Sequence, residues 1–261
     1  MSGHLLVVGD PVADHLVPAV CRHAERAGWV VRVVGPFDLA DLSLTTDERT
    51  LSVEGRRVDA VVFRLSLDLL VAPGFADDDR GFATDELRAV WAHALSIPTV
   101  ATPNRGVAAH SLLRDPQAWR DLLVAHGVPT APVSIGRAPA GSCWLHADGS
   151  LRPRPDARVV RTLGMATVPA RRWRSVVCCG GEVEPGLPRA IDTIARSAAQ
   201  VLAGAGLGLA ELRVDQLGRV LTVGVHPVIT ADCADWVAGA LLASCARSAD
   251  RNTEEDLACC S

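Results

Sequence analysis

The sequence predicts an α/β protein with an N-terminal parallel α/β domain followed by a mixed α+β domain. Three observations lead there. The apolar runs LLVVGD (5–10) and WVVRVVG (29–35) bracket an amphipathic stretch over 14–27, which is the strand–helix–strand order of a βαβ unit. Between 128 and 184, short strand patterns alternate with Gly- and Pro-rich turns. A chain of 261 residues with 49% hydrophobic content is also long enough to bury a sizeable core, as one large domain or as two or three small ones.

The elements follow in order. LSVEGRRVDAVVFRL (51–65) reads as a turn at Glu54-Gly55 and a strand ending at Arg64. Thr84-Asp85-Glu86 opens a helix to about Leu95, with ADDDR (76–80) as a solvated turn before it, and IPTVATPN (97–104) gives a further strand. DPQAWRDLLVAHG (115–127) has an Asp cap, Pro at the first helical position and a closing Gly, so it reads as a helix, and VPTAPVSIG (128–136) turns into a strand. A hairpin is expected at Asp148-Gly149, and strands at ARVVRTL (157–163) and RWRSVVCCGGEVE (172–184), the latter hinged at Gly180-Gly181. A helix over 188–204, a hairpin over 211–229, a helix over 232–247 and a disordered polar tail complete the chain. The expected domains are 1–104, a linker helix and strand over 105–136, a mixed domain over 137–248, and the tail over 249–261.

Composition excludes several functions. The formal charge is −4 and aromatic content is 4% with no Tyr, so neither nucleic acid nor an anionic membrane is favoured. All 26 basic residues are Arg, so no Lys can act as a Schiff-base nucleophile, phosphate clamp or general base. The first ten residues are too short and uncharged an apolar run for a signal peptide, and no later run approaches a membrane span. Eight Cys without an export signal point to reduced thiols and a cytoplasmic location. Cys21, Cys143, Cys233 and Cys245 are expected as small core residues, as is at least one of Cys178 and Cys179.

The most informative stretch is ELRVDQLGRVLTVGVHPVI (211–229). Alternation puts Glu211, Arg213 and Asp215 on one face of a strand, and Thr222, Gly224 and His226 on one face of the next. A four-residue loop over 216–219 would set Asp215 opposite Val220, Arg213 opposite Thr222 and Glu211 opposite Gly224. The face is either the wet side of a half-buried hairpin or the lining of a cleft with two carboxylates and a His. Seven arginines (Arg152, Arg154, Arg158, Arg161, Arg171, Arg172, Arg174) likewise form either a solvated face or an anion-binding groove.

Taken together, the segments VDAVVFRL, FATDELRAVWAHAL and PTVATPN, then DPQAWRDLLVAHGVPTAP, then VPARRWRSVVCCGGEVE and AELRVD…VLTVGVHP resemble the ATP-grasp superfamily over about 5–245. The resemblance is to its peptide carboxylate–amine ligases, including ribosomal-protein glutamate ligases and ligases that macrocyclise ribosomal peptides. It implies a pre-ATP-grasp-like N-terminal domain and a shortened ATP-grasp-like C-terminal domain. It also implies substrate contacts by Arg64, Asn104, Arg171, Arg172, Arg174 and His226, a catalytic or phosphate-holding role for Arg161 and Arg174, and nucleotide and metal contacts by Glu211 and Asp215.

The departures from that family pattern are several. Its last strand carries an acid and then an Asn that reach magnesium, where this chain has Gly224 and His226. Arg161 stands where a phosphate-holding Lys belongs, and a second family Lys falls near Arg114 or Asp115. No acid precedes VPARRW, and the segment between VVRTLG and RWRSVV is shorter than the family's glycine-rich covering loop. The expectation is therefore a degenerate ATP-grasp-like protein without a cofactor, binding a peptide or protein partner as an accessory in a peptide-modification or small-molecule pathway. The alternative is an active ligase using ATP and magnesium through an acyl phosphate, with Glu211 filling the space left by Gly224. A homodimer is compatible with either.

Overall fold

The computed structural model describes residues 3–72, 74, 76–111, 116–132, 134–135, 142–145, 151–153, 166–169 and 172–259. They form two compact units, residues 1–111 with 228–261 and residues 112–227. The cuts differ from those expected from sequence, because the C-terminal helix packs back onto the first unit.

In the first unit, β1 (His4–Val8) lies between β2 (Val30–Val34) and β6 (Ala60–Phe63) in a parallel sheet. Successive β1 residues Leu5, Leu6, Val7 and Val8 are all buried, so both faces of the sheet are covered, which is why the run is continuously apolar. Leu6, Val8, Val61 and Phe63 enter a core with Trp91, Leu95 and Ile97, where the Phe63 and Trp91 ring centroids stand 5.1 Å apart. Helix α1 (Leu16–Arg26) buries Leu16, Val17, Val20 and Ala24 and packs against α5 (Ala231–Cys259).

The antiparallel strands β3 (Leu44–Thr46), β4 (Leu51–Val53) and β5 (Arg56–Val58) feed β6. Their turn at Glu54 and Gly55 has φ of 52° and 74°, the left-handed pair that a two-residue hairpin needs. The expected strand over 97–104 is reduced to isolated bridge residues, among them Ala101, which pairs in parallel with Ala60. Helix α2 (Asp77–Ala94) begins earlier than expected and absorbs the acidic turn. Asp77, Asp78 and Asp79 occupy its first turn, where the exposed amides and the helix dipole favour carboxylates. Likewise α5 continues to Cys259, through the segment expected to be a disordered tail.

The second unit contains α3 (Pro116–Ala125) and two antiparallel sheets. One sheet has β7 (Ser134–Ile135), β8 (Ser142–Leu145), β9 (Leu151–Pro153) and β10 (Ala166–Pro169) in the order β7-β10-β8-β9. The strands on either side of Asp148-Gly149 pair as a hairpin would, Leu145 with Leu151, while the turn itself and the expected strand over 157–163 lie outside the described residues. The other sheet has β11 (Trp173–Cys179), β12 (Glu182–Val183), β13 (Leu209–Asp215) and β14 (Val220–Gly224) in the order β12-β11-β13-β14, with α4 (Arg189–Gly204) packed on it.

Candidate functional site: the polar face of the second antiparallel sheet

The hairpin register is the one its alternation predicts over most of its length. Glu211 stands opposite Gly224 and Arg213 opposite Thr222. At the turn the structure departs, with a β-bulge that sets Val214, not Asp215, opposite Val220. The extra residue moves Val220 from the polar face to the buried one, where it is 2% exposed. An apolar side chain gains more from that burial than the ladder loses by one irregularity.

Asp215 is left at the mouth of the turn, fully buried. Its Oδ1 accepts the backbone N–H groups of Leu217 and Arg219 at 2.9 Å each, and its Oδ2 accepts Arg219 Nε and Nη2 at 3.0 and 2.8 Å. Burial pushes this carboxyl up, but the Arg219 amide and guanidinium and the Leu217 amide outweigh it and hold the group below its ordinary value. A metal at Asp215 would have to displace Arg219.

Glu211 is the acid that faces the last strand's vacant position. Its Oε1 accepts Ser175 Oγ at 2.8 Å and Arg213 Nε at 3.2 Å, and both members of the ion pair are mostly shielded from solvent. Pairing places Val177 of β11 opposite Glu211, and Glu184 donates its backbone N–H to the Val177 carbonyl. Glu184, Val177, Glu211 and Gly224 thus form one row across four chain segments. Glu184 escaped the sequence reading because it lies beyond the short β12, and only the fold brings it beside Glu211. Burial pushes its carboxyl up. A Val177 backbone hydrogen bond and the Arg174 guanidinium pull it down, the nearby Glu211 pushes it up again, and the net is a raised value.

Arg172 and Arg174 are exposed, and Arg174 stands opposite Val214, three positions along the ladder from the Glu211 row. His226 is half-buried beyond the end of β14. Arg161 and Arg171 lie outside the described residues. Arg64 and Asn104 belong to the first unit. Arg64 Nε donates to Asp14 Oδ2 at 2.7 Å, with the guanidinium 7% exposed, so its charge is matched within the unit. Asn104 is buried, and its carbonyl accepts His110 Nε2 at 2.7 Å. Of the expected site residues, Arg172, Arg174, Glu211, Asp215 and His226 belong to the second unit, and Arg64 and Asn104 to the first.

Cys178 and Cys179 are both buried, because at this end of the sheet each face is covered. Cys245 is buried too, while Cys21 and Cys233 are only partly so, and all five are free thiols. Among the described residues no three His, Cys, Asp or Glu side chains gather as a metal site, and no helix is long and apolar enough to cross a membrane. The oxygen donors that a nucleotide-bridging magnesium needs are thus poorly supplied: one carboxylate is sealed by Arg219, the other is held by Arg213 and Ser175, and Gly224 offers no side chain. These residues do not fit the ion.

No family model and no curated sequence matches the chain. Solved structures do. The ATP-grasp ligase PsnB, complexed with a phosphomimetic variant of its minimal precursor, Mg and ADP, superposes with a TM-score of 0.66 at 15% identity, over 92% of this chain and 98% of its own. The macrocyclase MdnC from Microcystis aeruginosa MRC, bound with precursor peptide MdnA, gives 0.64 at 12%, over 92% and 99%. A RiPP-associated ATP-grasp ligase from Chryseobacterium gregarium, in complex with ADP and a leader and core peptide, gives 0.62 at 10%, over 93% and 97%. Near-complete coverage of both partners at such low identity establishes architecture, and this chain has the fold of the ATP-grasp ligases.

Proposed function

We propose that the protein is a catalytically degenerate member of this fold that binds a peptide or another protein, as an accessory of a peptide-modification or small-molecule pathway. One observation carries the reading. Each carboxylate placed to hold magnesium is already neutralised by an arginine of its own hairpin, Asp215 by Arg219 and Glu211 by Arg213. The exposed Arg172 and Arg174 would make the partner contact, and the precursor peptides in the PsnB and MdnC structures favour a peptide as that partner. Arg161 and Arg171, outside the described residues, are proposed as further contacts to that partner.

The alternative, an active carboxylate–amine ligase, is favoured by one feature: Glu211 stands directly opposite Gly224, so its carboxylate could fill the space of an acid at that position. Calorimetric titration with a non-hydrolysable ATP analogue, with and without magnesium, separates the two. Degeneracy predicts no saturable magnesium-dependent heat at millimolar nucleotide. Magnesium-dependent binding that Glu211→Ala abolishes would establish the ligase reading instead.

A further inference from the structure

We infer that the outer edge of β2, with the groove beside it, docks an extended acidic peptide. The inference does not depend on whether the protein binds nucleotide. Among the described residues β2 pairs only with β1, so one side of its backbone is open. Val30 donates its N–H to the Gly3 carbonyl and the Val34 carbonyl accepts Gly9 N–H. In a parallel ladder, Val30, Arg32 and Val34 then present their backbone groups to β1, and Val31 and Val33 turn theirs outward. An open edge normally carries protective charge, yet Val30 and Val33 are 46% and 42% exposed and only Arg32 is charged.

Next to this edge, over the β1–β2 face and against the β4–β5 hairpin, lies a groove of about 250 Å³, lined by Leu6, Val30, Arg32, Val53, Arg56 and Arg57 among others. Arg32 pairs with Glu54 and Arg57 with Asp59, whereas Arg56 is exposed and has no acidic partner among the described residues. The groove therefore keeps one uncompensated guanidinium over an apolar floor, in a chain whose formal charge is −4. An added strand alternates its side chains between two faces, so a peptide of alternating apolar and acidic residues meets Val31 and Val33 with one set and, on the Val30 and Arg32 face, Arg56 with the other, while its backbone pairs with Val31 and Val33.

The test uses the full chain without nucleotide and a fluorescein-labelled peptide of alternating Val and Glu, about six residues long to match one strand. Saturable anisotropy is expected. Arg56→Glu, or Gln in place of Glu in the peptide, should weaken it about tenfold through the lost charge-assisted contact. Val33→Pro should abolish it, because it removes only an outward N–H that the ladder does not use. Thermal unfolding checks each variant, and if Val33→Pro does not fold, Arg56→Glu decides alone. No binding overturns the inference. So does binding that ignores Arg56→Glu but is lost in Arg172→Ala/Arg174→Ala, a result that leaves the proposed function standing and moves the peptide to the other unit. A dimer in light scattering that Val33→Pro breaks and the peptide does not would assign the edge to a second copy, and would also overturn it.

Discussion

At the scale of single residues, Asp215 and Glu184 are carboxylates with opposite consequences. Asp215 is held below its ordinary value of 3.8, so it contributes stability above that pH and loses it as pH falls through its folded value. Asp215→Ala leaves Arg219 without its partner and two turn amides without an acceptor. It should cost about 3 kcal/mol at neutral pH, with the difference from wild type shrinking on acidification, as urea unfolding at several pH values will show. Glu184 is held above its ordinary value of 4.5, so its penalty is absent below that pH and grows as pH rises through the folded value. Glu184→Gln should therefore raise the melting temperature at pH 7 and leave it unchanged in acid. A variant less stable than wild type at pH 7 would mean that the row is held together by that charge.

At the scale of elements, the 211–224 hairpin shows how a local rule yields to burial. Alternation fixes the pairing of Glu211 with Gly224, and the bulge near the turn then corrects the one apolar residue that alternation leaves on the wet face. The turn depends on Gly218, whose φ of 72° suits glycine and whose absent Cβ would sit 3.5 Å from Ile194. Gly218→Ala should cost about 1 kcal/mol, mainly through backbone strain, and Gly218→Asn less, because Asn tolerates the left-handed region better. Chemical denaturation of the pair ranks them. Burial also silences the thiols of this sheet and of α5. It pushes Cys178 far up and Cys245 up to about 12, so neither should react with a thiol reagent at pH 8 until the protein unfolds.

At the scale of the whole molecule, the first unit is discontinuous. Its α5 comes from the end of the chain and buries Ala234, Val237, Ala238, Leu241 and Cys245. A chain ending at Pro227 would expose the α1 face that α5 covers, and each large apolar side chain lost from that seam forfeits about 2 kcal/mol. Truncation should therefore abolish cooperative melting of the first unit by circular dichroism. The excised segment 112–227, continuous in sequence, should keep its own transition; failure of that segment to fold would show that the second unit relies on the first.

The sequence by itself determined the βαβ opening, the Glu54-Gly55 turn, the helix from Pro116 and the pairing of Glu211 with Gly224. Each rests on local chemistry: apolar period, left-handed turn residues, cap residues and side-chain alternation. Only the tertiary structure decided which acids occupy the candidate site. Asp215 is enclosed by its own turn, whose Leu217 and Arg219 groups its carboxylate accepts, Glu184 joined the Glu211 row because β12 folds back beside β11, and the C-terminal helix found its place on α1. Those outcomes depend on what each segment packs against across long sequence separations, and such packing overrides what any short window of sequence contains.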